Sequence, residues 1–347
     1  MSKVFVSTNG SRLVRAECGA NGNWSVEFLL DGTNVRCLAA DPHNPNVVYA
    51  GTHDHGVLRS DDRGKTWQLS GMKGHIVKAL AVSPAKPGLI FAGTKPPGVF
   101  VSSDDGQSWM ELESFRRMRR WFWFTPAEAG APYVLAIALS PTDPDVIVAG
   151  VEAGAVLRSV DGGKSWTGHL TGAIRDCHSL TFHAADGNWV YEAGGYGAAF
   201  SRDGGATWQQ PDRATLVDFI QLMRGGGVRP SRKGLDRIYS FAVGADPARP
   251  DVWYISASPG PFKAHVEGKA EAFIFRKSGD APWEKLNGGL PQPLPNMPYA
   301  LLPDRDAPGH LYAGLSNGDV WHTADYGNYW RQLPVNLGSI WTAMIML

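Results

Sequence analysis

One pattern constrains this 347-residue chain more than any other feature: the segment Ser-x-Asp-x-Gly-x-Thr/Ser-Trp keeps returning. Clean copies occupy 60–67, 102–109, 159–166 and 201–208; 323–330 is a near copy, and 276–283 keeps little beyond Trp283. The chemistry of the segment is that of a hairpin turn. Asp and Ser/Thr oxygens accept from turn N–H groups, Gly permits positive φ, and Trp packs the turn onto its sheet. Asp62, Asp104, Asp161, Asp203 and Asp325 each occupy the same turn of their own repeat, so they read as structural rather than catalytic.

Strand-like runs flank each copy. Val35–Pro42, Val77–Pro84, Val134–Pro141 and Cys177–Phe182 read as first strands; 48–51, 90–93, 148–150 and 311–314 read as second strands ending in Ala-Gly. A third strand enters the turn and a fourth leaves it, which makes a four-stranded antiparallel blade. Residues 3–30 supply three strands without a first, and 339–347 supply a first strand without successors, so the two ends complete one blade and leave no free edge. The sum is a single all-β domain over 1–347, a seven-bladed β-propeller. Its blades are 339–347 with 3–30, 35–70, 76–115, 133–170, 177–211, 238–286 and 298–334. A column of small residues, Cys37, Ala79, Ala136, Ser179, Ser240, Ala300 and Ala343, suits crowded inner strands.

The repeat resembles the Asp-box (BNR) repeat of sialidase-like propellers, and with its flanking strands the resemblance covers nearly the whole chain. It implies either of two functions, because such propellers include glycoside hydrolases and also non-catalytic proteins such as sortilin-type receptors and photosystem II stability/assembly-factor-like proteins. The Arg-Ile-Pro motif of sialidases is absent, so no sialidase site is carried over.

Connection lengths point to a functional face. The turn face is constant in length, whereas the opposite, top face carries three insertions, 114–132, 212–236 and 257–273. Loops on a rigid scaffold are where binding and catalysis concentrate. Residues 114–124 and 212–224 read as short amphipathic helices. Arg116, Arg117, Arg119 and Arg120 lie on the first, beside Trp121, and 212–237 carries six Arg/Lys against three Asp. A basic top face favours an anionic small molecule, a carbohydrate acid or an acidic protein partner.

The start of each inner strand faces the channel mouth, where Arg36, Lys78, Leu135, His178, Tyr239, Tyr299 and Thr342 form a column. Loops and links add His53, Asp54, His55, His75, Lys95, Glu152, Arg175, Asp176, Tyr196, Arg237, Lys263, His265 and Glu267. Catalytic expectations fall on His178, Glu152, Tyr239 and Asp54 as proton-handling groups. Ligand-binding expectations fall on Arg36, Lys78, His53, His55, His75, Arg175, Tyr196, Tyr299, Trp121 and Arg237. The alternative for the arginines and lysines is blade-to-blade ion pairing. No cofactor is indicated; a metal held by His53, His55, His75 and His178 is the remaining alternative, although their spacing matches no metal signature.

Composition narrows the partners. Lys plus Arg (33) equals Asp plus Glu (33), which argues against a chain that coats nucleic acid or an anionic membrane. Three cysteines cannot build a disulfide framework, and neither an apolar leader nor a membrane-length apolar run is present, which reads as cytoplasmic. Two functions are expected: a hydrolase- or lyase-type enzyme for an anionic or sugar-like molecule at the top mouth, or a non-catalytic propeller that docks an acidic partner.

Overall fold

In the computed structural model, which describes residues 3–118, 123, 131–211, 234–341 and 343–347, the strands form seven separate antiparallel sheets. Met344–Met346 pairs with Val4–Asn9, and the sheet continues through Arg12–Cys18 and Trp24–Leu29, so the two chain ends share blade 1. Blades 2 to 7 follow in chain order, with inner strands Val35–Ala40, Ile76–Val82, Val134–Leu139, Cys177–Phe182, Tyr239–Ala245 and Pro298–Pro303. The architecture is the seven-bladed propeller expected. Blades 4 and 5 have three regular strands each among the described residues. Their fourth strands shrink to a few bonds, Thr167 N to Arg158 O (2.9 Å) and the Phe200–Gln209 bridge.

The repeated turn explains its own composition. Ser60 Oγ donates to Asp62 Oδ1 (2.8 Å) and accepts from Gly64 N–H (2.8 Å). Asp62 accepts from Thr66 N–H (2.8 Å) and the Thr66 hydroxyl (2.6 Å), and Trp67 Nε1 donates to Gly64 O (3.0 Å). The same bonds recur at 102–109, 201–208 and 323–330, except that Tyr329 has no hydroxyl near Asp325 to match Thr66. The Ser108 hydroxyl and N–H hold Asp104 down at about 2, and those of Ser165 do the same for Asp161. These carboxylates are fully used as acceptors inside the turn.

The two ends of the ring are identified by bonds between connections. Each turn donates to the first-to-second connection of its own blade, as in Arg63 N to Asn46 O (2.9 Å), Asp105 N to Gly88 O (3.1 Å) and Tyr326 N to Gly309 O (2.9 Å). At the other end, the long loop of blade 6 is bonded to the link that follows that blade, through Ala270 N to Pro295 O (2.8 Å) and Ala272 N to Leu294 O (3.0 Å).

Two short helices lie in top-face connections. Helix α1 (Glu113–Arg116) starts the expected helix over 114–124, but Ser114 is not its cap: that residue is inside the helix and its hydroxyl donates to Gly163 O. Helix α2 (Pro261–Ala264) has Pro at its first position, which suits the missing N–H there. Residues 119–122 and 124 of that segment, Trp121 among them, and the expected helix over 212–224 lie outside the described residues. No helix among the described residues is long and apolar enough to cross a membrane.

The blades meet closely where second-strand glycines face the next inner strand. A Cβ on Gly93 would sit 2.6 Å from Val134 Cγ1 and 3.0 Å from Val134 O, and one on Gly150 would sit 2.3 Å from Cys177 Sγ. Overpacking of this kind costs about 1–3 kcal/mol. We expect Gly93→Ala to lower the urea-unfolding free energy by about that amount. Gly168→Ala, where a Cβ would meet nothing within 4 Å, should be near neutral; equal effects of the two would contradict the close approach.

Candidate functional site

The inner strands share a local irregularity that builds the site. Their pairing with the second strand slips between Val35 and Cys37, Val77 and Ala79, Val134 and Ala136, Cys177 and Ser179, and Pro298 and Ala300. The skipped residue of each β-bulge is Arg36, Lys78, Leu135, His178 and Tyr299 respectively. A bulge leaves one residue unpaired in the ladder and re-aims its side chain. Here it turns Arg36, Lys78, Leu135 and His178 onto a cavity of about 180 Å³ at the axis. Cys37, Ala79, Ala136, Ser179 and Ala343 form the small-residue ring beside them.

Blade 6 departs from this register. Its slip falls between Ser240 and Val243, so Phe241 lines the cavity, while Tyr239 pairs with Ser258 in the ladder. Tyr239 was expected in the mouth column and does not line the cavity. It belongs instead to an aromatic group with Tyr299 and His265, the last delivered by the long loop of blade 6. His265 Nε2 lies 2.7 Å from Tyr239 Oη, and its Nδ1 lies 2.6 Å from Tyr299 Oη. Trp341 packs on both His265 and Tyr299. Removal of the His265 ring from water, with His178 nearby, lowers it to about 4, and burial raises the Tyr299 hydroxyl above its ordinary range. This group closes the blade 6 and 7 side of the mouth.

The opposite side is ionisable. His178 is buried, stacks on Phe241 and places Nδ1 2.7 Å from Ser240 O. A carbonyl only accepts, so Nδ1 carries a proton, and the ring presents Nε2 on its other side. That atom faces Asp176 Oδ2 at 3.7 Å. Asp176 Oδ1 accepts from Ala153 N–H (3.3 Å), which brings Glu152 beside the pair. Burial raises Glu152 above the usual carboxylate range, against the lowering effects of His178, the Tyr133 hydrogen bond and Lys78. Lys78 is 6% exposed and its Nζ lies 4.5 Å from the centre of the Tyr133 ring. Burial of an ammonium group demands compensation of this sort.

The remaining expected residues scatter. His53 Nδ1 pairs with exposed Asp54 (2.8 Å), which is held low by that bond, and His55 is exposed on the same loop. His75 is exposed and packs edge-on against Phe100. Arg175 Nη1 donates to Gly154 O (3.2 Å), and burial pushes the Tyr196 hydroxyl up to about 12. Arg237 donates to Glu271 O (3.2 Å) and lies over Phe273, where it braces the base of the long loop rather than the cavity. Among the described residues no three His, Cys, Asp or Glu side chains converge as metal ligands, so His53, His55, His75 and His178 do not form the ligand set considered from sequence. Their separate loops and partners keep them apart.

Tyr133 is the residue that sequence reasoning missed. It directly follows the 114–132 insertion and precedes an inner strand, at a position whose equivalents in other blades are unlike it. Its signal was the single aromatic next to Val134, where the other blades place Asn34, Ile76 or Asp176.

The cysteines provide a check on access. Cys18 is partly exposed, whereas Cys37 lines the cavity and is 8% exposed, and burial pushes its thiol up to about 12. Cys177 is fully buried and also raised. Iodoacetamide at about pH 8 should alkylate Cys18 alone in the folded protein and all three thiols in denaturant. Rapid native labelling of Cys37, read by peptide mass mapping, would contradict the burial of its thiol.

No family model and no curated protein matches the chain. Solved structures do. An ancestral GH74 enzyme is 21% identical with a TM-score of 0.63, over 86% of this chain and 38% of its own. The GH74 enzyme of Niastella koreensis is 16% identical with a TM-score of 0.64, over 94% of this chain and 53% of its own. YCF48 bound to D1 peptide is 14% identical with a TM-score of 0.55, over 86% and 80%. The chain thus spans about half or less of the length of those GH74 enzymes. At these identities the likeness establishes the propeller fold.

Proposed function

We propose that the channel mouth binds a small anion and exchanges a proton with it, as a hydrolase- or lyase-type enzyme would. The observation that carries this reading is the row of bulges, which sets Arg36, Lys78 and His178 around one cavity, with no carboxylate among its described lining residues. Arg36 and Lys78 serve as anion anchors, His178 Nε2 as the proton acceptor or donor, and Glu152 as the second proton-handling group.

Size limits the part of a ligand that the cavity itself holds. A cavity of about 150 Å³ takes up benzene, so 180 Å³ suits roughly six to eight non-hydrogen atoms. That is the scale of a hydroxy acid or a fragment of a sugar acid. A polysaccharide chain of the kind a glycoside hydrolase cuts does not fit inside it, and the GH74 likeness supports the scaffold rather than the substrate.

A second reading has its own support. Phe262 and Val266, on the long loop, are 75% and 42% exposed, and Trp341 beside them is 37% exposed. An apolar patch near the mouth favours docking of a protein segment, as the peptide-bound YCF48 structure also suggests by analogy. The two readings part at Lys78, to which docking on the loop is indifferent.

Lactate is a suitable probe for the first reading. A charge-assisted contact contributes about 1.5–3 kcal/mol, so Lys78→Met should weaken lactate binding by about ten- to a hundredfold in calorimetry, with the folded state confirmed by circular dichroism. An unchanged Kd in Lys78→Met and in Arg36→Met would remove the basis for the anion site.

A further inference from the structure

Tyr133 joins the anion side of the site to its acid–base side. Its ring carries the Lys78 ammonium on one face, at 4.5 Å, and its side chain is hydrogen-bonded to Glu152. The two segments are also tied through Glu152 N to Tyr133 O (3.0 Å). Lys95 lies near the same ring, at 6.0 Å from its centre. From blade 5, Asp176, Cys177 and His178 are within electrostatic range of Glu152, and from blade 6 so is Tyr239.

This arrangement makes the charge on Glu152 dependent on what occupies the cavity. The carboxylate leans on Lys78, with Tyr133 donating to it, while Asp176 opposes its ionisation. An anion seated on Lys78 and Arg36 neutralises that support and adds a repulsive charge of its own. The carboxylate form is then the less stable one. Asp176 is held as an acceptor by Ala153 N–H, and Cys177 and Tyr239 are raised groups that stay protonated. Glu152 is the carboxyl coupled to the anion site, through Tyr133 and Lys78.

We infer that the cavity takes up its anion together with one proton, held on Glu152, so that the bound species is in effect a small weak acid. The step is an acid–base one: the Glu152 carboxylate forms an O–H bond with a proton drawn from solvent, and no redox partner is needed. The inference rests on the anion-site reading and names the ligand class for it. The sign follows from linkage. Binding raises the proton affinity of Glu152, so affinity for a permanently charged anion increases as pH falls across the interval between its unbound and bound pKa, by up to about tenfold per pH unit. Tyr133 is a positioning residue here, because it acts through Glu152 rather than on the ligand.

The test uses the whole chain, with methanesulfonate, which takes up no proton itself, and with lactate. Titration calorimetry in buffers of different ionisation enthalpy, from about pH 5 to about pH 8, reads the proton count directly. The expected result is an uptake that approaches one proton per bound methanesulfonate within that range. In Glu152→Gln the uptake should vanish, with the anion bound equally well across the range. Tyr133→Phe keeps the ring under Lys78 but removes the hydroxyl bond, so the pH of greatest uptake should move upward by up to about one unit. Binding with no uptake overturns this inference and leaves the anion site standing. Persistent uptake in Glu152→Gln also overturns it, and places the proton on another group of the site. Failure of both probes to bind removes the anion site and this inference with it.

Discussion

The structure depends on how closely one sheet approaches the next. Second-strand glycines at 51, 93, 150 and 314 stand where an added Cβ would lie within 2.7 Å of a side chain in the following blade. Opposite them on their own inner strands are Cys37, Ala79, Ala136 and Ala300. This pairing of glycine with a small residue lets the sheets pack face to face near the axis, with Val77, Val134, Cys177 and Ile340 filling the seams. The cavity described above lies beside these crowded strands, at the axis.

Further out, the seams are fastened by arginines that reach from one blade to the turn of the next. Arg15 Nε donates to Arg63 O (2.9 Å), Arg59 Nη1 to Asp105 O (2.8 Å), Arg158 Nε to Gly204 O (2.8 Å) and Arg276 Nη1 to Tyr326 O (2.7 Å). In each case the acceptor is the carbonyl exposed by the sharp turn around the repeated Asp or its neighbour. The turn therefore has two tasks. It closes its own hairpin, and it offers an acceptor to the blade before it. Ring closure adds a third fastening, since Arg63 Nη2 also donates to Leu347 O (3.0 Å).

Much of this was legible in the sequence because it repeats. The Ser, Asp, Gly and Trp of each turn, the Ala-Gly ends of the second strands and the split blade at the termini all follow from comparing one repeat with the next. What was not legible breaks the period. Nothing in a single sequence marks a β-bulge, so the column of mouth residues was drawn straight through blade 6, where the slip comes later and Phe241 takes the place given to Tyr239. Tyr133 stands where other blades carry unlike residues, and its importance depends on Lys78 arriving from the preceding blade and on Glu152 from the next connection of its own blade. Arg237 had the right charge for an anion anchor but is spent on Glu271 O and the Phe273 ring. His265 was one residue among several in a long loop; only the fold shows it set between two tyrosines from different blades.

The central claim is that the bulged residues on one side of the axis form an anion site. Soaking crystals in bromide and recording anomalous scattering tests this most directly, since the ion is small enough to enter and its position is read without a model of its chemistry. The account predicts an anomalous peak in the cavity, in contact with Arg36 or Lys78 and close to His178. Peaks confined to the outer surface, with the axial cavity empty or filled by water alone, would contradict it.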